Sequence, residues 1–167
     1  MATALEDLRV LQAAETVADG IWRRVVRWDP FAREVVGGQL ARAADSIGAN
    51  IAEAFGRFHY GEKLQFLYYA RGSVYETKYW LNRALARDLM PSGQVQGYVS
   101  KLTDLARQLN AFAGSLKAQR RGTLKPETKI REESQKYLPE LARREQTLPL
   151  FTAEELEWLE TVVEVRD

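Results

Sequence analysis

Apolar residues recur at three- and four-residue steps through most of the chain, most densely between Gly38 and Leu89. Leu40, Ala43, Ala44, Ile47, Ile51, Ala54, Phe55 and Phe58 share one face of a helix expected over roughly 38–59. From Glu62 to about Leu89 a second helix carries Leu67, Ala70, Val74, Leu81 and Leu85 on one face and Phe66, Tyr69 and Trp80 on another. A helix apolar over more than half its circumference needs cover from several sides. Phe66, Tyr69, Tyr75 and Trp80 leave its main stripe, which predicts an interface between chains.

Two further helices flank this pair. Residues 4–28 place Leu5, Leu8, Leu11, Ala18, Ile21, Trp22 and Val25 on one side. Asp29-Pro30 is a start signal, an N-cap candidate followed by Pro at the first helical position. Gly37-Gly38 is expected to interrupt, leaving 30–36 as a short turn. After the turn Met90-Pro91-Ser92-Gly93, with Ser92 as N-cap candidate, Val95, Tyr98, Val99, Leu102, Leu105, Leu109, Phe112 and Leu116 mark the last long helix. Four long helices with short connections predict an all-α, antiparallel up-and-down four-helix bundle over residues 1–121.

Beyond Arg121 the pattern lapses, and Pro126, Pro139 and Pro149 punctuate an extended arm with one helical piece expected near 128–138. The C-terminal extension, 122–167, then closes on a short fifth helix over about 152–165. Thr152 and Glu155 have the spacing of a capping box, and Phe151 and Leu156 that of a hydrophobic staple. Phe151, Leu156, Trp158, Leu159 and Val163 make its apolar side. A lone helix of roughly 12–15 residues is marginal in water. It is expected to dock on its own bundle or a neighbouring protomer in preference to a separate protein.

A polar row runs beside the apolar face of the Gly38 helix: Gln39, Arg42, Ser46, Asn50, Glu53 and Arg57. Ser73 and Glu76, one turn apart on the next helix, are expected to meet it. A buried Glu76 would need Arg42 or Arg57, within the chain or between chains, because an uncompensated buried carboxylate costs about 3–5 kcal/mol.

Gln39, Arg42-Ala43-Ala44, Ser46-Ile47, Asn50-Ile51-Ala52-Glu53 and Gly56-Arg57, followed by Phe66-Leu67, Ala70, Gly72-Ser73 and Glu76, carry a resemblance. In this order they resemble the four-helix-bundle family of proteins encoded in intervening sequences of 23S ribosomal RNA genes. That family includes the accessory variability determinant of diversity-generating retroelements. Ala54 stands where the family usually has Gly. The resemblance implies a closed homo-oligomer, a homopentamer, with RNA or DNA and a reverse transcriptase as partners.

Composition narrows the rest. Of 167 residues, 46% are hydrophobic and 28% charged, an ordinary globular balance, and the absence of cysteine excludes disulfides and thiolate metal sites. Early charges at Glu6, Asp7 and Arg9 argue against a secretory leader, and no apolar run approaches the ~20 residues of a membrane span, so a cytoplasmic protein with no membrane partner is expected. The formal charge of +1 divides into +4 over residues 1–120 (16 Lys and Arg, 12 Asp and Glu) and −3 over the remainder. Arginine exceeds lysine in the first part, 12 to 4, which suits phosphate forks and ion pairs alike. The candidate nucleic-acid contacts are Arg23, Arg24 and Arg27, set between Trp22 and Trp28, with Arg120 and Arg121. Cations placed favourably at a helix C-terminus are the plainer account of the first three. The single histidine, His59, has no Glu-x-x-His context, and no phosphate loop or HExxH occurs. The expectation is a non-enzymatic protein without metal or cofactor. Two functions compete: a nucleic-acid-binding accessory protein of a retroelement reverse transcriptase, or a protein-interaction scaffold displaying C-terminal tails to another partner.

Overall fold

The computed structural model describes residues 5–123 and 149–162, mostly helical with short irregular connections and no strand among them. A 3₁₀ turn at Leu5–Asp7 precedes α1 (Arg9–Val25). Then come α2 (Pro30–Ala32), a π segment (Arg33–Gly37), α3 (Gly38–Gly56), α4 (Tyr60–Leu85), α5 (Ser92–Thr123) and α6 (Ala153–Glu160). The first helix packs on α3 and α5, and α4 packs on the same two, so the four long helices close a ring. Short connections at 26–29, 57–59 and 86–91 make neighbours antiparallel. The C-terminal α6 lies against α5.

Ile21, Leu40, Ile47, Ile51, Leu67, Leu81, Leu102, Leu105 and Leu109 are fully buried where these helices face each other. Each such side chain contributes about 1.5–3 kcal/mol by leaving water. Between α3 and α4 the buried positions include Ala43, Ala44, Ala54, Ala70, Ser73 and Thr77. Their small size lets the two axes approach closely along most of their length.

Gly37-Gly38 does not interrupt, contrary to the expectation from helix propensity. The helix runs without a break from Pro30 to Gly56, through a π segment that takes up the change in register. Asp29 caps its start, with Oδ1 accepting from the Phe31 and Ala32 amides at 3.0 Å each. The reason for glycine is tertiary: a Cβ at Gly37 would sit 2.5 Å from Cγ1 of Val25. Here the start of the α2–α3 rod presses directly on the end of α1. After α4, Asp88 takes a left-handed conformation (φ 55°) and the Leu89 amide returns to the Ala84 carbonyl at 2.9 Å. That closes the helix as a Schellman-type end. Ser92 is the first residue of α5, and the Pro91 carbonyl accepts from Gln94 and Val95 at 2.9 and 3.1 Å.

The C-terminal helix is shorter than its apolar pattern suggests, eight residues, because Thr161 leaves the helix (φ −75°, ψ 135°) at the head of the β-branched run Thr161-Val162-Val163. The expected helical piece near 128–138 and Val163 lie outside the described residues.

Candidate nucleic-acid interface and the seated C-terminal segment

Arg23 and Arg24 are exposed on the last turn of α1, and Arg27 is exposed in the turn that follows it. Arg23 pairs loosely with Asp19 at 3.6 Å, both side chains open to water. Arg24 donates from Nε to the Tyr98 hydroxyl at 3.3 Å, which ties the end of α1 to α5. Arg33 joins them, its Nη1 donating to the Val26 carbonyl at 3.4 Å. Trp22 (57% exposed) and Phe31 (75%) stand open at the same end of the bundle. Guanidiniums interleaved with open aromatic faces can hold phosphates and stack bases.

Arg120 and Arg121 do not belong to this cluster. They sit on the last turn of α5, whose side chains lie outside the described residues. Twenty-two residues separate Tyr98 from Arg120 along one helix, which is roughly 33 Å at 1.5 Å per residue. The two arginine groups therefore mark opposite ends of the bundle.

The polar row is arranged within α3. Asn50 donates to the Ser46 carbonyl at 2.8 Å, and Arg57 pairs with Glu53 one turn back while its guanidinium lies 4.7 Å from the Phe66 ring. Gln39 and Ser46 are half-buried, and Arg42 is exposed. Ser73 is buried and donates to the Tyr69 carbonyl at 3.1 Å. Glu76 corrects the expectation: it is exposed and accepts from Trp80 Nε1 at 3.4 Å, with neither Arg42 nor Arg57 as intrachain partner. The cause is the rotation of α4, which turns Ala70, Ser73 and Thr77 into the α3 interface and leaves Glu76 on the outer face.

The most elaborate site is the seat of residues 149–162 on α4 and α5. Leu150, Phe151 and Leu159 are buried and Leu156 packs against the same core. Asn110 grips the main chain of Phe151 from both sides, its Nδ2 donating to the carbonyl at 2.7 Å and its Oδ1 accepting the amide at 2.8 Å. Tyr75 lies between two rings of the segment, 5.9 Å from Phe151 (10° between planes) and 5.2 Å from Trp158 (21°). Arg71 pairs with Glu155, and its guanidinium lies 5.0 Å from the Tyr75 ring and 5.6 Å from Phe151. Arg107 pairs with Glu160, and Gln96 donates to the Glu160 carbonyl at 3.4 Å.

Lys78 holds the other end of α6. It is 1% exposed, donates to the Trp158 carbonyl and to Thr161 Oγ1 (3.4 Å), and sits 3.7 Å from the Trp158 ring centroid. A cation at a helix C-terminus meets the unsatisfied carbonyls and the negative end of the dipole. Burial pushes the Lys78 amine down to about 8, so it still carries its proton at neutral pH. At the N-terminus of α6 the capping box is complete, with Glu155 N to Thr152 Oγ1 at 3.2 Å and Thr152 N to Glu155 Oε2 at 2.9 Å. Partial burial pushes the Glu155 carboxyl up, but the Thr152 amide, the Tyr75 hydroxyl and Arg71 outweigh it and hold the group below its ordinary value. Burial, followed by the Glu155 hydrogen bond, raises Tyr75 against the opposing charge of Arg71.

The family described as 23S rRNA-intervening sequence protein matches residues 6–111. The chain belongs to this family. None of the curated proteins compared with it matches. The family match spans α1 to α4 and α5 as far as Ala111, and so stops short of the seated segment. In this member of the family, part of the aromatic surface that suggests an interchain interface is covered by its own C-terminus. Tyr75 is stacked by the segment, and Phe66 and Trp80 pack against the core, while Tyr68, Tyr69 and Tyr79 stay half open. The segment is met on the bundle by Arg71, Tyr75, Lys78, Arg107 and Asn110, of which only Tyr75 was singled out along the sequence, as an interchain contact. A second signal was Lys78, a lysine set between the buried positions Val74, Thr77 and Leu81 of α4. Among the described residues no helix is long and apolar enough to cross a membrane, and no three His, Asp or Glu side chains gather to hold a metal.

Proposed function

We propose that this protein is a non-enzymatic, cytoplasmic nucleic-acid-binding accessory protein that works as a closed homopentamer. It assists a reverse transcriptase of a diversity-generating retroelement. Membership of a family named for an RNA gene supports an RNA-related role. The observation that carries the binding is the end of α1, where Arg23, Arg24 and Arg27 stand exposed beside Trp22 and Phe31. Five bodies of +4 each would carry about +20 before their tails, enough to draw a polyanion. Tyr69, Tyr79 and the exposed Glu76 and Arg42 remain as surface for a neighbouring chain. The competing scaffold reading draws on the near-neutral total charge, but it requires displayed tails, and α6 is seated on its own bundle.

Labelled RNA and DNA oligonucleotides titrated at about 50 and 200 mM salt test the binding, which should weaken steeply as salt rises. Changing Arg23, Arg24 and Arg27 together to Ala should cut affinity at least tenfold and flatten the salt slope by up to about 2–3. No binding at low salt, or binding indifferent to the triple change, would transfer the proposal to the scaffold. Light scattering at micromolar concentration tests assembly, and a monomer mass ends the pentamer.

A further inference from the structure

The positive charge of the bundle is gathered at one end. Because neighbouring helices are antiparallel, the C-terminal ends of α1 and α4 and the start of α5 share that end with α2. Residues 22–36 and 82–101, which build it, hold seven Lys and Arg against three Asp and Glu, and that excess of four equals the whole excess of residues 1–120. Beyond Arg23, Arg24 and Arg27, the cations there include Arg33, Arg87 and Lys101, all exposed and on three further parts of the chain. Of the three carboxylates, Asp29 is engaged by the two amides it caps. A strand of phosphates meets a surface of one sign at this end.

Two rings stand open among these cations, Trp22 and Phe31. Trp28, between them along the chain, is not offered in the same way. It is half-buried and packs against the core, and a Cβ at Gly37 would come within 3.4 Å of its ring. The cations beside the open rings are braced. Arg24 Nε donates to the Tyr98 hydroxyl, and the Tyr98 ring lies so close to Gly20 that a Cβ there would meet it at 3.1 Å. Lys101 Nζ is 5.8 Å from the centre of the same ring, and Arg33 is tied to the Val26 carbonyl. Open rings set beside cations held in place make a stacking platform as well as a positive patch.

We propose that this end of the bundle selects single-stranded nucleic acid, with Trp22 and Phe31 stacking unpaired bases while Arg24, Arg33, Arg87 and Lys101 hold the phosphates. The inference rests on the nucleic-acid binding proposed for the end of α1 and adds the class of strand and the residues that select it. In a duplex the base faces are already stacked on one another, so open rings gain nothing and the cations bind alone. In a single strand every base has a free face, and ring and phosphate contacts act together. Stacking is not screened by salt, so the preference for single strands widens as salt rises. Neither contact reads the sugar, so RNA and DNA strands are bound alike.

Labelled oligo-dT and oligo-U of about twelve nucleotides, and a duplex of the same length, are titrated with the full-length protein at about 50 and 200 mM salt. Both single strands should bind at least about tenfold more tightly than the duplex at the higher salt. Trp22→Ala and Phe31→Ala should each lower single-strand affinity about tenfold, the usual contribution of one stacked base, and leave duplex affinity within about twofold. Trp22→Phe should recover most of the loss, which separates stacking from a local change of fold. Arg87→Ala and Lys101→Ala should weaken single strand and duplex by similar factors, and no loss from either overturns their place in the site. Duplex binding as tight as that of the single strands, or ring variants that leave single-strand binding unchanged or weaken both forms equally, would overturn the inference while the nucleic-acid reading survives. Binding of only one of the two single strands would overturn a mode that is blind to the sugar. No binding of strand or duplex at low salt ends the nucleic-acid reading itself.

Discussion

Arg23, Arg24 and Arg27 stand exposed at the end of α1 and in the turn after it, whereas Arg71, Lys78 and Arg107 are each held against a group of the C-terminal segment. The side-chain chemistry is nearly the same in both places. What differs is the surface opposite. At the α1 end the only carboxylate contact among the described residues is the long Arg23–Asp19 approach, which leaves the charges open to a ligand. In the groove, two glutamates and the carbonyl end of α6 already answer them. Cations with open surroundings contribute little to stability and can bind, while cations answered by the fold hold it together.

The sharpest way to break this contrast is to remove the apolar anchor. Phe151→Ala should cost about 3–5 kcal/mol of seating free energy, the usual range for a buried aromatic. Because α6 is only eight residues, it should detach and melt. Hydrogen exchange would then show the amides of 153–160 unprotected while α1 to α5 keep their protection. Protection unchanged across α6 would mean the groove does not depend on that ring.

Asn110→Ala comes next. It leaves the Phe151 amide and carbonyl without partners, and at about 1 kcal/mol for each hydrogen bond the loss should be near 2 kcal/mol. A partial rise in exchange over 149–160 is the expected reading, smaller than for Phe151→Ala.

Acid should loosen the segment by a smaller amount. The Glu155 carboxyl is held below its ordinary 4.5 when seated, so its contribution is fully present above pH 4.5 and is lost as pH falls through the seated value. Lys78 works in the same sense but at alkaline pH. Its amine falls from 10.5 to about 8 on burial, so between those two values seating releases a proton and strengthens as pH rises. Amide protection of α6 followed from pH 6 to 3 checks the first effect, and Glu155→Gln should remove it.

The smallest effects belong to the open side of the contrast. Changing Arg23, Arg24 and Arg27 to Ala should each shift stability by no more than about 0.5 kcal/mol. Glu76→Ala should do the same, since its carboxylate is exposed and accepts a long hydrogen bond from the Trp80 indole. Thermal melts of the four variants within a few degrees of the parent are the expected result. A large loss for Glu76→Ala would instead place a neighbouring chain's cation against it.

The bundle was legible because its signals are local. The stripe Leu40, Ala44, Ile47, Ile51, Ala54 repeats on the helix's own period, and Asp29-Pro30 announces a start that the Asp29 carboxylate then makes. Thr152 and Glu155 are three residues apart, so their capping box could be read off the chain and stands in the structure. The expected pairing of Glu76 within the chain failed for a reason of the opposite kind. Spacing placed Glu76 one turn from Ser73, but which of the two faces α3 depends on the rotation of α4, and the close packing of Ala70, Ser73 and Thr77 sets that.

Residue order alone thus determined the helices, their stripes and the cap of the final one, since each rests on interactions three or four residues apart. Where that final helix lands was decided by tertiary packing, because Asn110 meets Phe151 across forty-one residues and Lys78 meets Trp158 across eighty. The glycine at position 37 belongs to the same class: along the chain it reads as a helix breaker, and only the approach of Val25 turns it into a contact point. Contacts over such separations leave no periodic trace, because a helix's own geometry constrains neighbours within one turn and nothing beyond it.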